Sequence, residues 1–159
     1  MKRVYLIRHG EAEFTGRGRG DHGRWLSEAG RDQARHLGEQ LAGAGIEVVL
    51  ASSADRAAQT ASGLGLGADV RVLDELYSAS PMGILRVLAP LPDEVGTAAL
   101  VAHSPGIPAL VDELVGDDPD REAASFIAHH FGTASCAGID FTGSWADLDG
   151  SRLFWAGRG

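Results

Sequence analysis

Apolar and polar positions alternate along this chain in blocks that switch between strand and helix character. Val4-Tyr5-Leu6-Ile7, β-branched and aromatic, lies between Lys2-Arg3 and Gly10 and reads as a short buried strand. From Leu26 to about Ala44 the apolar positions Leu26, Ala29, Ala34, Leu37 and Leu41 recur at helical spacing, with Ser27 as N-cap and Gly43 or Gly45 as the stop. Ile46 to Ala51 reads as a second buried strand, and a helix from Ser53 to about Ser62 follows directly. Val70 to Leu73 is a further strand, and Ser80-Pro81 supplies a capping residue and a first-turn proline for the next helix. Thr97 to Ala102 is the third strongly apolar strand. Pro105 or Pro108 falls in the first turn of a helix through Leu110, Val111 and Leu114, and Asp118-Pro119 starts another towards Phe131.

The last stretch has a different texture. Cys136 to Phe141 and Arg152 to Trp155, separated by the turn-rich Thr142 to Ser151, predict two strands that pair as a hairpin with a long loop. Alternation of strands and helices without a break predicts one domain over residues 1–159: a three-layer α/β/α sandwich around a mostly parallel sheet. Such a sheet gathers the carboxyl ends of its strands on one edge, where open α/β folds bind ligands.

Composition narrows the function classes. The formal net charge of −8 provides no basic face to displace counterions from nucleic acid, so any phosphate affinity must come from a few focused arginines. Cys136 is the only cysteine, which excludes an internal disulfide and a cysteine-rich metal site. Four apolar residues after Met1-Lys2-Arg3 are too few for a signal-peptide core, and no stretch reaches the length of a membrane span, so a cytoplasmic protein without membrane or nucleic-acid partners is expected.

Three predicted strands end in polar residues of one chemical type. Arg8-His9-Gly10-Glu11-Ala12 follows the first, Ser52-Ser53-Ala54-Asp55-Arg56-Ala57-Ala58-Gln59-Thr60-Ala61 the second, and His103-Ser104-Pro105-Gly106 the third strongly apolar one. Taken singly, each has a plain structural reading: a surface turn, a solvated helix arginine, a strand-end histidine. Gathered on one sheet edge they form a phosphate pocket. In order and position they resemble the histidine phosphatase superfamily, whose members include phosphoglycerate mutases and small phosphatases. Leu26-Ser27-Glu28-Ala29-Gly30 with Gln33-Ala34 is similar to that family's first helix start. The resemblance runs from Met1 to about Val115 and implies a phosphoglycerate mutase-like fold.

It also implies the chemistry. His9 would be the nucleophile that is transiently phosphorylated and then released by water, Arg8 and Arg56 would clamp phosphoryl oxygens through planar paired donors, and His103 would be a further donor. The neighbouring arginines should lower the pKa of His9, and in this family the second ring nitrogen donates to a backbone carbonyl, with Gly10 permitting the tight chain approach. No metal and no cofactor are called for. His22, His36, His129 and His130 are given no place in the site; there is no paired-ligand spacing, and adjacent His129 and His130, which point in different directions on a helix, read as structural or exposed.

The short segment between Arg56 and His103 leaves no room for the lid that mutases and many sugar phosphatases insert there. An open site suits a phosphorylated side chain on another protein, and the chain resembles the small SixA-type phosphohistidine phosphatases in length. Glu75 reads as a rim carboxylate with the alternative of an acid catalyst, and Ala102 and Ser104 depart from the residues usual around the late histidine. Gly16-Arg17-Gly18-Arg19-Gly20 reads as a flexible solvated linker, with the alternative that its arginines meet an acidic partner. Dephosphorylation of protein phosphohistidine is thus the leading expectation. A small-molecule phosphomonoesterase is the first rival, and a non-catalytic phosphate-binding module is a second from another class.

Overall fold

The computed structural model describes residues 1–159. Its strands are β1 (Lys2–Arg8), β2 (Val48–Ser52), β3 (Asp69–Leu73), β4 (Thr97–Ala102), β5 (Ser135–Phe141) and β6 (Arg152–Arg158). The helices are α1 (Glu28–Leu41), α2 (Asp55–Gly63), α3 (Pro81–Leu88), α4 (Gly106–Leu114) and α5 (Arg121–Ile127). All six strands form one sheet in the order β3-β2-β4-β1-β5-β6. The first four run parallel, and the predicted C-terminal hairpin adds β5 antiparallel to β1 and β6 antiparallel to β5.

Period-two alternation along the central strands divides the core. Val4 and Leu6 of β1, Val48 and Leu50 of β2, and Ala98 and Leu100 of β4 face α3 and α4 through Ile84, Leu88, Ile107 and Leu110. Tyr5, Ile7, Val49, Ala51, Ala99 and Val101 point the other way, onto Leu37 and Leu41 of α1 and Ala57 and Ala61 of α2. Because both faces are covered, the central parallel strands β1, β2 and β4 carry continuous apolar runs, whereas the edge strand β3 alternates and is largely exposed. No helix is long and apolar enough to cross a membrane.

Local chemistry sets the helix starts. The Ser27 hydroxyl accepts from the Gly30 amide at 3.1 Å and the Ser80 hydroxyl from the Gly83 amide at 3.1 Å, caps worth about 1 kcal/mol each. The last helix begins later than the Asp118-Pro119 signal predicts, because Asp120 is its cap, accepting from the Ala123 amide at 2.9 Å. It also stops at Ile127, short of Phe131, whose carbonyl instead accepts from Arg8 Nη1 at 3.0 Å.

Candidate active site

Strand order places β4 between β1 and β2, with Arg8 level with Ala102 and Ala51 level with Val101. The carboxyl ends of these three adjacent strands therefore open onto one cleft of about 620 Å³, lined among others by Arg8, His9, Arg56 and His103. The four residues singled out in the sequence converge there.

His9 sits on a loop held by the residues of the second motif. Its Nδ1 lies 2.6 Å from the Gly10 carbonyl, so Nδ1–H donates and Nε2 keeps its lone pair, which faces Arg56 Nε at 3.3 Å. The Thr60 hydroxyl accepts from the Gly10 amide at 3.0 Å and donates to the Arg56 carbonyl at 2.7 Å, tying the His9 loop to α2. Gln59 Oε1 accepts from the Leu26 amide and Gln33 Oε1 from the Glu11 amide, both at 2.8 Å, which accounts for the two glutamines of the motifs. Gly30 lets α1 pass beneath: a Cβ there would come within 2.0 Å of the Glu11 carbonyl oxygen.

Burial is the largest cause of a His9 pKa near 4; Arg56, Arg8 and Arg24 add to it, while the Gly10 contact opposes it. The arginines legible in the sequence are thus the smaller effect, and burial, which only the fold reveals, is the larger. His103, whose ring centroid lies 5.2 Å from that of His9, falls to about 3 for the same first reason, with His9 and Arg56 contributing. His103 Nδ1 is 3.4 Å from Arg56 Nη2 and its Nε2 is 2.8 Å from the hydroxyl of buried Ser52. An arginine only donates, so Nδ1 is the acceptor here and Nε2–H donates to Ser52. Because a hydroxyl can also donate, Ser52 is compatible with the opposite tautomer, which would turn Nδ1–H towards a ligand. Arg8 Nε is buried without a hydrogen-bond partner.

Two residues that the sequence reading passed over complete the cleft. Asp21 is its only acidic lining residue, and Tyr77, on the wall after β3, donates its hydroxyl proton to Asp21 Oδ2 at 2.6 Å. That hydrogen bond, with those from Arg24 and Arg56, holds the Asp21 carboxyl far below the usual carboxylate range. The available signal was an acid directly after the glycine-arginine segment. His22 does not line the cleft; its Nε2 lies 2.9 Å from the Ser53 hydroxyl and its ring packs edge-on against Tyr77 at 5.0 Å. His36, His129 and His130 are exposed away from the cleft.

The glycine-arginine segment is an ordered turn rather than a linker. Arg17 pairs with Glu13 at 3.1 Å and lies 3.9 Å over the Trp25 ring, and Arg19 pairs with Asp55 at 2.7 Å. Glu75 is exposed in the short 3-10 turn Asp74–Leu76 and does not line the cleft. The wall that follows it is packed down where a Cβ on Gly106 would approach the Ala79 carbonyl oxygen to 2.3 Å. No group of three or more His, Cys, Asp or Glu side chains is placed to hold a metal ion.

The family model for the histidine phosphatase superfamily, branch 1, matches residues 4–79. An uncharacterized protein of Mycobacterium leprae is 34% identical over 131 residues, 81% of each chain, and one of Mycobacterium tuberculosis is 31% identical over 146 residues, 90% of this chain and 92% of its own. Among solved structures, one from Nakamurella multipartitia with a provisional assignment as phosphohistidine phosphatase SixA is 34% identical, with a TM-score of 0.87 over 98% of this chain and 95% of its own. A protein histidine phosphatase SixA complexed with tungstate is 27% identical, with a TM-score of 0.77 over 98% of this chain and 96% of its own.

Proposed function

The chain belongs to the histidine phosphatase superfamily, and on that footing we propose that it hydrolyses phosphohistidine on proteins, with His9 as nucleophile. The observation that carries the choice of substrate is the state of the acids. Expelling an alkoxide from a phosphate ester calls for a proton donor. The one carboxyl lining the cleft, Asp21, is held as an anion by Tyr77, Arg24 and Arg56, and Glu75 lies outside the lining. A phosphorylated imidazole that is protonated on its other ring nitrogen needs no such donor, because it leaves as neutral imidazole.

In this mechanism His9 Nε2 attacks phosphorus as the substrate P–N bond breaks, and water then attacks phosphorus, breaking the P–Nε2 bond to release phosphate and restore His9. The Gly10 carbonyl fixes the ring so that Nε2 points at the incoming group. Arg56 Nε and Nη2, already aimed between His9 and His103, would pass their hydrogen bonds from the two rings to phosphoryl oxygens entering that gap, and a phosphoryl oxygen would satisfy Arg8 Nε. His103 would donate from Nδ1 in its other tautomer. The cations that this scheme requires are arginines, so it calls on no metal.

The test compares hydrolysis of a phosphohistidine-bearing protein with a panel of sugar and nucleotide phosphates, in EDTA, for the native chain, His9→Ala and Glu75→Gln. Loss of protein phosphohistidine that depends on His9 and is indifferent to EDTA and Glu75→Gln is expected. Preferential ester turnover that Glu75→Gln abolishes would make the protein a phosphomonoesterase, and ligand binding without turnover that survives His9→Ala would make it a binding module.

A further inference from the structure

Arg56 is buried, and its guanidinium has two working edges. The inner edge, Nε and Nη2, faces His9 Nε2 at 3.3 Å and His103 Nδ1 at 3.4 Å. The outer edge is held by one residue: Nη1 donates to the Asp21 carbonyl at 2.8 Å and Nη2 to Asp21 Oδ2 at 3.0 Å. Asp21 is itself fixed from the far side, by the Tyr77 hydroxyl at 2.6 Å on Oδ2 and Arg24 Nη1 at 3.1 Å on Oδ1. The four groups come from the loop after β1, from α2 and from the wall after β3.

We propose that Asp21 is a positioning residue, which sets the plane of the Arg56 guanidinium and thereby aims its inner edge into the gap between the two imidazoles. This deepens the phosphatase reading and rests on it. Two bonds from one residue to the outer edge define a plane that a single bond would leave free to rotate. Donors already aimed at the place where charge develops need no rearrangement during reaction. Asp21 does not act as a proton donor in this role, since three donors keep it an anion. Its partner Tyr77 serves as the anchor, and the 3-10 turn Asp21–Gly23 carries the main-chain carbonyl into the same contact.

A double-mutant cycle separates action through Arg56 from any other role. With para-nitrophenyl phosphate as probe, Asp21→Asn and Asp21→Ala are expected to lower kcat/KM about tenfold, chiefly in kcat, and Tyr77→Phe about threefold, because misaiming a donor weakens its transition-state contact. In an Arg56→Ala background the same changes should lower it further by less than about twofold, since residues acting through one another are not additive. Losses that persist undiminished in that background, whether from a general collapse of the turn or from separate chemistry, overturn the proposal, as does an Asp21→Asn enzyme with native kcat. If the native chain turns over no phosphorylated compound, it is the phosphatase reading that fails. The cycle is then read on orthovanadate affinity by calorimetry, where the same non-additivity supports the positioning role and additivity removes it.

Discussion

Replacing His9 by asparagine should make the protein more resistant to acid, relative to the native chain, even as it removes the proposed nucleophile. His9 is only 9% exposed, and its imidazole is held near 4 in the folded chain against 6.5 for a free ring. Between those two values the unfolded chain binds a proton that the folded chain refuses, so acidification favours unfolding. The His9 contribution to stability is fully present above pH 6.5 and is lost as the pH falls towards 4. At about 1.4 kcal/mol per pKa unit, the loss is roughly 2.5 kcal/mol at pH 4.5 and close to nothing at pH 7.5. Urea unfolding at both pH values, on both chains, reads this directly. His103 remains in both and feels the charge of His9, but His9 is still mostly neutral at pH 4.5, so the difference between the profiles reports chiefly on His9. The native chain should lose about 2.5 kcal/mol more than His9→Asn over this interval. Parallel losses would refute the argument, because they would mean that His9 titrates alike in the folded and unfolded chains.

Three further outcomes follow from the same geometry. The acid limb of kcat/KM for para-nitrophenyl phosphate, taken in brief assays, should fall near pH 4 rather than near 6.5, since His9 attacks only when neutral; a midpoint at 6.5 would contradict the burial argument. Ser52→Ala removes the partner of His103 Nε2 and should lower kcat/KM roughly tenfold, the worth of one buried hydrogen bond, and steady-state kinetics showing a change under twofold would count against a role for that tautomer switch. Gly30→Ala drives a Cβ into the Glu11 carbonyl and should lower the unfolding free energy by about 1–3 kcal/mol, visible as a reduced urea midpoint at unchanged slope.

The fold was legible wherever one local signal prevailed. β4 has the predicted bounds, Thr97 to Ala102, because an unbroken apolar run ends at a histidine, and Ser27 and Ser80 cap the helices they announce. The start of α5 was not legible, since Asp118 and Asp120 are both credible caps and the choice depends on β6: the Leu153 carbonyl accepts from the Asp120 amide at 2.9 Å. The same division holds in the cleft. Arg8 ends β1, His9 and His103 directly follow β1 and β4, and Arg56 stands in the first turn of the helix after β2, so all four could be read in one dimension. Asp21 and Tyr77 could not, because their meaning lies in a contact between positions 56 residues apart in the chain, and because arginines flanked by glycines look solvated until Glu13, Asp55 and Trp25 are seen beside them.

Strand order carries a consequence for how activity arises during synthesis. β1 and β2 do not touch; β4, later in the chain than both, is the strand that joins them. A ribosome-bound chain that has emerged only as far as α2 holds β1 and β2 as strands with no shared hydrogen bonds, even where the loop after β1 reaches α2. Long-range parallel pairing is the slow part of folding, because loop-closure entropy must be overcome before the contacts form. Until β4 inserts between them the parallel sheet is in two pieces, and the same insertion that joins β1 to β2 delivers His103 to the side of His9 in a single late event.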